Sequence, residues 1–507
     1  MLAACAAIAH AASGVGSPKF AASRLVAQVT TSGFLQETGA ADVTGDGNVD
    51  IVVTRFVSDH AQTLPITILV GDGHGHFQDR TNQLFDGPVP QTLWPRRILF
   101  ADFNGDGRTD VFLANTGFDA SPFQGYPNTL ILSEPGGKLI DASANLPRAP
   151  DFTHSAGVGD VDGNGTVDIY AGNVCSACTH VPPELLLNDG TGHFRVATDA
   201  LPDVVAGPNA SAYDASTLAD VTGDGAPDLV LAGGPSTASR VLANDGKGHF
   251  AELLNALPAK PWAPDAEGLA ITAADLNGDG HLDLLMGYTK NQPFYVGRWI
   301  QVLINNGNGT FHDETSTRLP QTDNSGVWPY AIQLADVNGD GKLDIAVSLF
   351  AYPVEAPPFY LNRGDGTFTP PARDAFLSPP PQMFSLLDAN NDKRIDVVGS
   401  TFGSTTEPER HFLFEQLGMP GRVPGARASR GTLSKLVRVS WRPARQAEHY
   451  EVWRALGSRR ARIGVTRSTR FNDRRARSGS RYHYFVRATN RAGIGPFTSA
   501  GIGFRRH

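Results

Sequence analysis

Acidic and amide side chains alternate with glycine in ADFNGDGRTDVFLA, residues 101–114, before the chain turns apolar. Asp102, Asn104, Asp106 and Asp110 fall on every second residue, with only Arg108 interrupting the series. Such an array suits one of three chemistries: an oxygen cage for a hard cation, a hydrated acidic turn, or carboxylates set for acid–base work. The stretch is not unique in the chain. Related copies begin at Ala41 (ADVTGDGNVDIVV), Gly159 (GDVDGNGTVDIYA), Ala219 (ADVTGDGAPDLVL), Ala274 (ADLNGDGHLDLLM), Ala335 (ADVNGDGKLDIAV) and Leu387 (LDANNDKRIDVVG). Their leading aspartates, Asp42, Asp102, Asp160, Asp220, Asp275, Asp336 and Asp388, stand 60, 58, 60, 55, 61 and 52 residues apart. Seven copies at this spacing describe a repeat architecture, in which each loop plays the same part.

Counted from the leading aspartate, oxygen-bearing side chains occupy positions 1, 3, 5 and 9. Position 7 accepts any residue, as a main-chain carbonyl ligand allows. The predicted ligand sets are Asp42, Thr44, Asp46, Asn48 and Asp50; Asp102, Asn104, Asp106, Arg108 and Asp110; and Asp160, Asp162, Asn164, Thr166 and Asp168. They continue with Asp220, Thr222, Asp224, Ala226 and Asp228; Asp275, Asn277, Asp279, His281 and Asp283; and Asp336, Asn338, Asp340, Lys342 and Asp344. The seventh set is Asp388, Asn390, Asp392, Arg394 and Asp396. An all-oxygen donor set suits calcium, and carboxylates packed this closely repel one another without a cation. Position 12 is never Glu and a β-rich segment follows each time, which excludes the EF-hand and the dockerin module. In the seventh loop Asn391 and Lys393 replace both glycines, and Lys393 and Arg394 add positive charge. The expectation is therefore six or seven structural calcium sites.

The elements that carry these loops follow from a second marker. VGDGHGHF, LNDGTGHF, ANDGKGHF, NNGNGTF and NRGDGTF end at Phe77, Phe194, Phe250, Phe311 and Phe368, each flanked by short apolar runs. Asn/Asp-Gly turns between such runs signal hairpins. One unit thus reads strand, acidic loop, strand, variable loop, strand, glycine hairpin, strand. Four antiparallel strands per repeat make one blade, and seven repeats predict an all-β fold with a seven-bladed β-propeller. The seventh unit lacks a fourth strand of its own near HFLFEQL (411–417), whereas PKFAASRLVAQ (18–28) reads as one. The N-terminal segment is expected to complete the last blade.

The loops resemble FG-GAP/VCBS repeats, the blades of integrin α-subunit propellers and of many exported bacterial proteins. The resemblance covers residues 18–418 and implies calcium at the blade rims and a role in adhesion or ligand binding. Residues 431–507, after a linker at 419–430, resemble a fibronectin type III β-sandwich, with Trp441 as core tryptophan and Tyr482 as corner tyrosine.

Charge supports two domains. Residues 421–507 hold 21 Lys+Arg against 3 Asp+Glu, a net of +18, which leaves residues 1–420 at −26 within a total of −8. The basic part reads as a solvated surface or as a contact for an anionic surface; no nucleic-acid motif accompanies it. Residues 1–12 read as a signal peptide or its remnant, or, through LAAC ending at Cys5, as a lipobox for lipid anchoring; either implies a secreted or cell-surface protein. Cys175 and Cys178 are candidates for a small disulfide. No stretch has the roughly 20 apolar residues of a transmembrane span.

Up-and-down connectivity places the acidic loops and glycine hairpins on one face. A ligand is expected on the other, where long irregular connections cluster (116–128, 288–299, 350–360). Trp94, Trp328, Tyr288 and Trp299 are the candidate ligand-binding aromatics, suited to a glycan or a protein partner. No catalytic set can be specified. The alternative is a calcium-dependent polysaccharide lyase or other propeller enzyme on acidic glycans, with His154, Arg96 and Arg97 near the mouth.

Overall fold

The computed structural model describes residues 20–506 except 30–32, 59, 122, 148, 175–180, 208–209, 320–326, 352–358, 370–376, 378–380, 382, 402–407, 419, 458 and 491. The leader with Cys5 and the Cys175–Cys178 pair lie outside the described residues. The protein is all-β: helix is confined to three four-residue turns and one 3-10 turn among the described residues. The chain divides into two compact units, residues 22–415 and residues 416–506 with 20–21.

In the first unit, small antiparallel sheets succeed one another along the chain. The first holds Phe34–Ala41, Asp50–Phe56, Thr67–Gly71 and Phe77–Asp79. The next four repeat this order, the sixth has three strands, and no sheet closes into a barrel among the described residues. Every second strand is an apolar run buried on both faces, as in Asp50–Phe56, Asp110–Asn115 and Asp228–Ala232. The reason is that each sheet packs on two neighbours: Val52 and Ile68 of the first meet Val111 and Ile131 of the second, and Phe112 and Leu130 of the second meet Ile169 and Leu186 of the third. Main-chain staples reinforce the stacking. Asn188, Asn244 and Asn305, each opening a glycine hairpin, donate from Nδ2 to carbonyls of the preceding sheet at Phe103 (2.8 Å), Val161 (2.9 Å) and Val221 (2.8 Å).

Opening strands of successive sheets lie against one another from the first sheet to the sixth, and the seventh sheet (opening at Met383–Leu387) also meets the first. Gln333 of the sixth sheet donates to the Phe384 carbonyl of the seventh (2.9 Å), and Ser385 of the seventh donates to Thr38 of the first (3.0 Å). The opening strands of the first six sheets surround a cavity of about 390 Å³, where Gly157, Ala156, Ala215 and Ala270 leave the space open. Arg24–Val29 completes the seventh sheet, pairing antiparallel with Glu409–Phe414 so that Arg24 faces Leu413 and Val29 faces Glu409.

The second unit has two antiparallel sheets. One holds Arg427–Ala428, Val437–Ser440 and Arg470–Asp473; the other holds His449–Leu456, Arg459–Thr466, Tyr482–Asn490, Gly493–Ile494 and Thr498–Gly503. Trp441, Tyr450, Val452, Tyr484 and Val486 fill its core, and Tyr482 is 4% exposed.

Candidate functional site

All seven acidic loops share one register: the residue before the leading aspartate pairs with the position-nine aspartate, from Ala41 with Asp50 to Leu387 with Asp396. Within each loop the leading carboxylate accepts the backbone N–H five residues on, at 2.6–2.9 Å. The position-five side chain accepts the position-seven N–H at 2.7–3.1 Å. Gly45 and Gly47 adopt φ of 69° and 86°, the left-handed wrap this turn requires.

The position-nine aspartates do more than point at the loop. Asp50, Asp110, Asp168, Asp228, Asp283 and Asp344 are fully buried and hold the loop to the third strand. Asp110, for example, accepts Phe103 N–H (2.8 Å) on one oxygen and Ser133 N–H (2.7 Å) on the other. Burial raises Asp50 and Asp168 to about 6 and Asp344 to about 7, against the pull of these hydrogen bonds. In the third loop, oxygens of Asp160, Asp162 and Asp168 lie within 4.8 Å of one another, an all-oxygen cluster of the kind hard cations take. The seventh loop differs. Asn391 and Lys393 take φ of 55° and 66° in place of glycine, and Arg394 pairs with the nearly inaccessible Asp392. Asn390 Oδ1 is buried there with no hydrogen-bond partner among the described residues.

A second site lies at the opposite, N-terminal ends of the opening strands. A pocket of about 260 Å³ is walled by Phe56, Trp94, Phe294, Tyr295, Trp328 and Tyr330, with Gln36, Arg96, Arg97, Asp214 and Leu269. Trp94 and Trp328 each precede a proline that begins or nearly begins an opening strand, Pro95–Ala101 and Val327–Ala335. The Trp94 indole donates to the Val57 carbonyl (2.8 Å) and its ring meets Phe56 edge-on at 4.9 Å. Tyr295 stands edge-on to Trp328 at 5.5 Å and stacks on the exposed Phe294 at 4.1 Å.

Charge beneath the aromatic wall alternates in sign. Arg96 pairs with Asp119, and Asp214 accepts from or donates to His154 Nδ1 at 2.9 Å, according to which of them carries the proton. Burial lowers Arg96, but Asp119 and Asp214 more than reverse it, so the guanidinium stays charged. Burial likewise works to raise Asp214, while His154, Arg96 and Arg97 hold it below the usual carboxylate range. Arg97 donates to the Leu269 carbonyl at 3.1 Å and lies 5.5 Å from the Tyr330 ring centre. Glu37 and Glu267 are pushed by burial to about 8, Glu267 also by the nearby Asp214. Arg96 Nε, His154 Nε2 and Glu37 Oε2 are buried without hydrogen-bond partners among the described residues.

Of the aromatics singled out in the sequence, Trp94 and Trp328 line this pocket and Tyr288 and Trp299 do not. Tyr288 is fully buried with its hydroxyl on Ser239 (2.8 Å), and Trp299 packs edge-on against Trp262 at 5.8 Å. Arg96 and Arg97 line the pocket too, whereas His154 stands behind Asp214. Asp214, Tyr295 and Tyr330 carry no local motif. Their one sequence signal is position at or near the start of an opening strand, or in the long 288–299 connection.

The FG-GAP-like repeat family matches residues 42–113, 220–286 and 293–347. Integrin alpha-3 of Mus musculus is 38% identical over 82 residues, 16% of this chain, and the match spans 8% of the integrin's length. Among solved structures, the rhamnogalacturonan lyase YesW is 12% identical with a TM-score of 0.33, over 95% of this chain and 92% of that one. The Bacillus licheniformis rhamnogalacturonan lyase PL11 is 12% identical with a TM-score of 0.33, over 96% and 88%. The fibronectin-type structure FN3tt is 20% identical with a TM-score of 0.17, over 18% of this chain and 99% of that one. Integrin-type homology is thus confined to a short stretch, and the first unit carries FG-GAP-like repeats.

Proposed function

We propose that the chain is an exported, calcium-binding β-propeller that captures a glycan or protein ligand in the aromatic pocket without transforming it. Seven successive sheets, each leaning on the next and the seventh also meeting the first, support reading the first unit as a seven-bladed ring. The two-sheet second unit is read as a fibronectin type III sandwich. Calcium is assigned to the acidic loops, where the position 1, 3, 5 and 9 side chains and the position-seven carbonyl would hold it. When bound, it would neutralise carboxylates that otherwise repel. The count is six, because in the seventh loop Asn391 and Lys393 replace both glycines and Arg394 pairs with an Asp392 that is nearly inaccessible.

The observation that carries the binding role is the pocket itself: aromatic walls above paired charges, at the strand ends away from the acidic loops. Rings of this kind stack on pyranose faces or grip an apolar side chain, and Arg96 and Arg97 in the pocket lining bring positive charge to a ligand oxygen. A glycan and peptide array probed with the full chain and with W94A/W328A tests this. Retention by the parent and its loss in the variant supports the reading; equal retention refutes it.

A second reading, an enzyme on acidic polysaccharide, draws on the Asp214–His154 pair beside the pocket. Depolymerisation of a uronate polymer would favour it; retention without cleavage favours the binding module.

A further inference from the structure

The three carboxylates of residues 421–507 are Glu448, Glu451 and Asp473, against 21 basic residues. Two of them are consumed inside the unit. Asp473 accepts Arg454 (2.8 Å) and the Tyr484 hydroxyl (2.8 Å), while Glu451 accepts Arg462 (2.6 Å), Arg487 (2.7 Å) and the Trp453 indole (3.0 Å). The arginines are not distributed at random over the larger sheet. Arg460 lies over Phe485 (3.9 Å) and Phe497 (4.8 Å), and Arg487 lies over Phe497 (4.5 Å) and Trp453 (5.1 Å). Register places them together: Trp453 faces Arg462 on one neighbouring strand and Phe485 on the other, and Glu451 faces Arg487. The strand Arg459–Thr466 is the sheet edge, and its first four residues are exposed.

Stacking fixes the Arg460 and Arg487 guanidinium groups by their faces and Glu451 holds Arg462, which leaves the remaining N–H edges for an anion, so less side-chain entropy is lost on binding. Across this face Arg460, Arg462 and Arg487 stand against the single carboxylate Glu451, an excess of two positive charges (three minus one), with the exposed Arg459 opening the same edge strand and the exposed Arg467 just past its end. The aromatic faces are covered by arginine, which removes the open stacking platforms that single-stranded nucleic acid uses. Rings held flat under guanidinium groups also do not stand out as wedges for a lipid surface.

We propose that this arginine–aromatic face, centred on Arg460, Arg462 and Arg487, docks an anionic polysaccharide. Carboxylate or sulfate groups of successive sugars would take the guanidinium edges pairwise. This site is independent of the aromatic pocket in the first unit.

The test uses the full chain and three immobilised probes: heparin, polygalacturonate and double-stranded DNA, with phosphatidylserine-containing vesicles in parallel. The parent chain is expected to bind heparin or polygalacturonate at low salt and to lose affinity steeply as salt rises. R460Q/R462Q is expected to weaken that binding by about tenfold or more, while R438Q/R470Q, on the smaller sheet, retains it. Heparin without polygalacturonate binding identifies sulfate as the group read; the converse identifies carboxylate. Three results overturn the proposal: no polysaccharide binding, equal losses in both double variants, or binding of DNA or vesicles in place of polysaccharide. Far-ultraviolet circular dichroism and melting of each variant separate lost binding from lost fold.

Discussion

Arg55 and Glu409, 354 positions apart, form a bidentate ion pair of 2.8 and 3.1 Å with both side chains almost wholly buried. Arg55 also donates to Thr67 (2.8 Å), and His411 sits between Glu409 (2.6 Å) and Ser400 (2.7 Å). The network joins the first sheet to the seventh. Glu409→Gln leaves the guanidinium buried against a neutral group and should cost about 3–5 kcal/mol. Arg55→Met with Glu409→Gln removes both charges and should cost less than the single change. Thermal melts of the full chain decide this; a double variant no more stable than the single would count against it.

Trp328→Ala should lower ligand retention about tenfold, about 1.4 kcal/mol, with little effect on melting. Trp94→Ala should lower both retention and stability, because its indole N–H also secures the Val57 carbonyl. Parallel binding and melting curves for the two variants distinguish the roles.

Metal removal should separate two kinds of loop aspartate. Chelation by EDTA is expected to lower the melting temperature of the first unit while the second is unaffected. Asp106→Asn should weaken that dependence, since Asp106 is an exposed member of its loop. Asp110→Asn should cost about 1–3 kcal/mol with or without calcium, because both its oxygens accept backbone N–H groups. Identical melts with and without chelator would remove the metal from the account.

Glu37 predicts a pH effect. Burial raises its folded-state value to about 8, above the ordinary 4.5. The native state therefore holds a proton that the unfolded chain has released, and stability falls as pH rises from about 4.5 to about 8. Glu37→Gln should flatten this limb, so that moving from pH 5 to pH 8 lowers the variant's melting temperature less than the parent's.

Much of the architecture is legible because one local device recurs. Each acidic loop closes on the same pair, such as Ala101 with Asp110, so the hairpin register is written into nine residues. The closing strand was equally readable: the last repeat lacks a fourth strand, and Arg24–Val29 supplies it. The pocket is less legible. Trp94 and Trp328 stand out as aromatics at a fixed offset, but Asp214, Tyr295 and Tyr330 reach them only through packing between sheets distant in sequence. Tyr288 misled for the opposite reason. It lies at the apolar end of a second strand, and such strands are buried on both faces, which no short motif announces.

The strand that completes the seventh sheet has a mechanical consequence. Arg24 lies beside Leu413, so the two chain ends leave this ladder at the same edge. Tension drawn across residues 24 and 413 loads the hydrogen bonds one after another, as in a zipper, and not all at once, as in a shear joint. The clasp therefore peels under a pull, first at Arg24 and last at Val29.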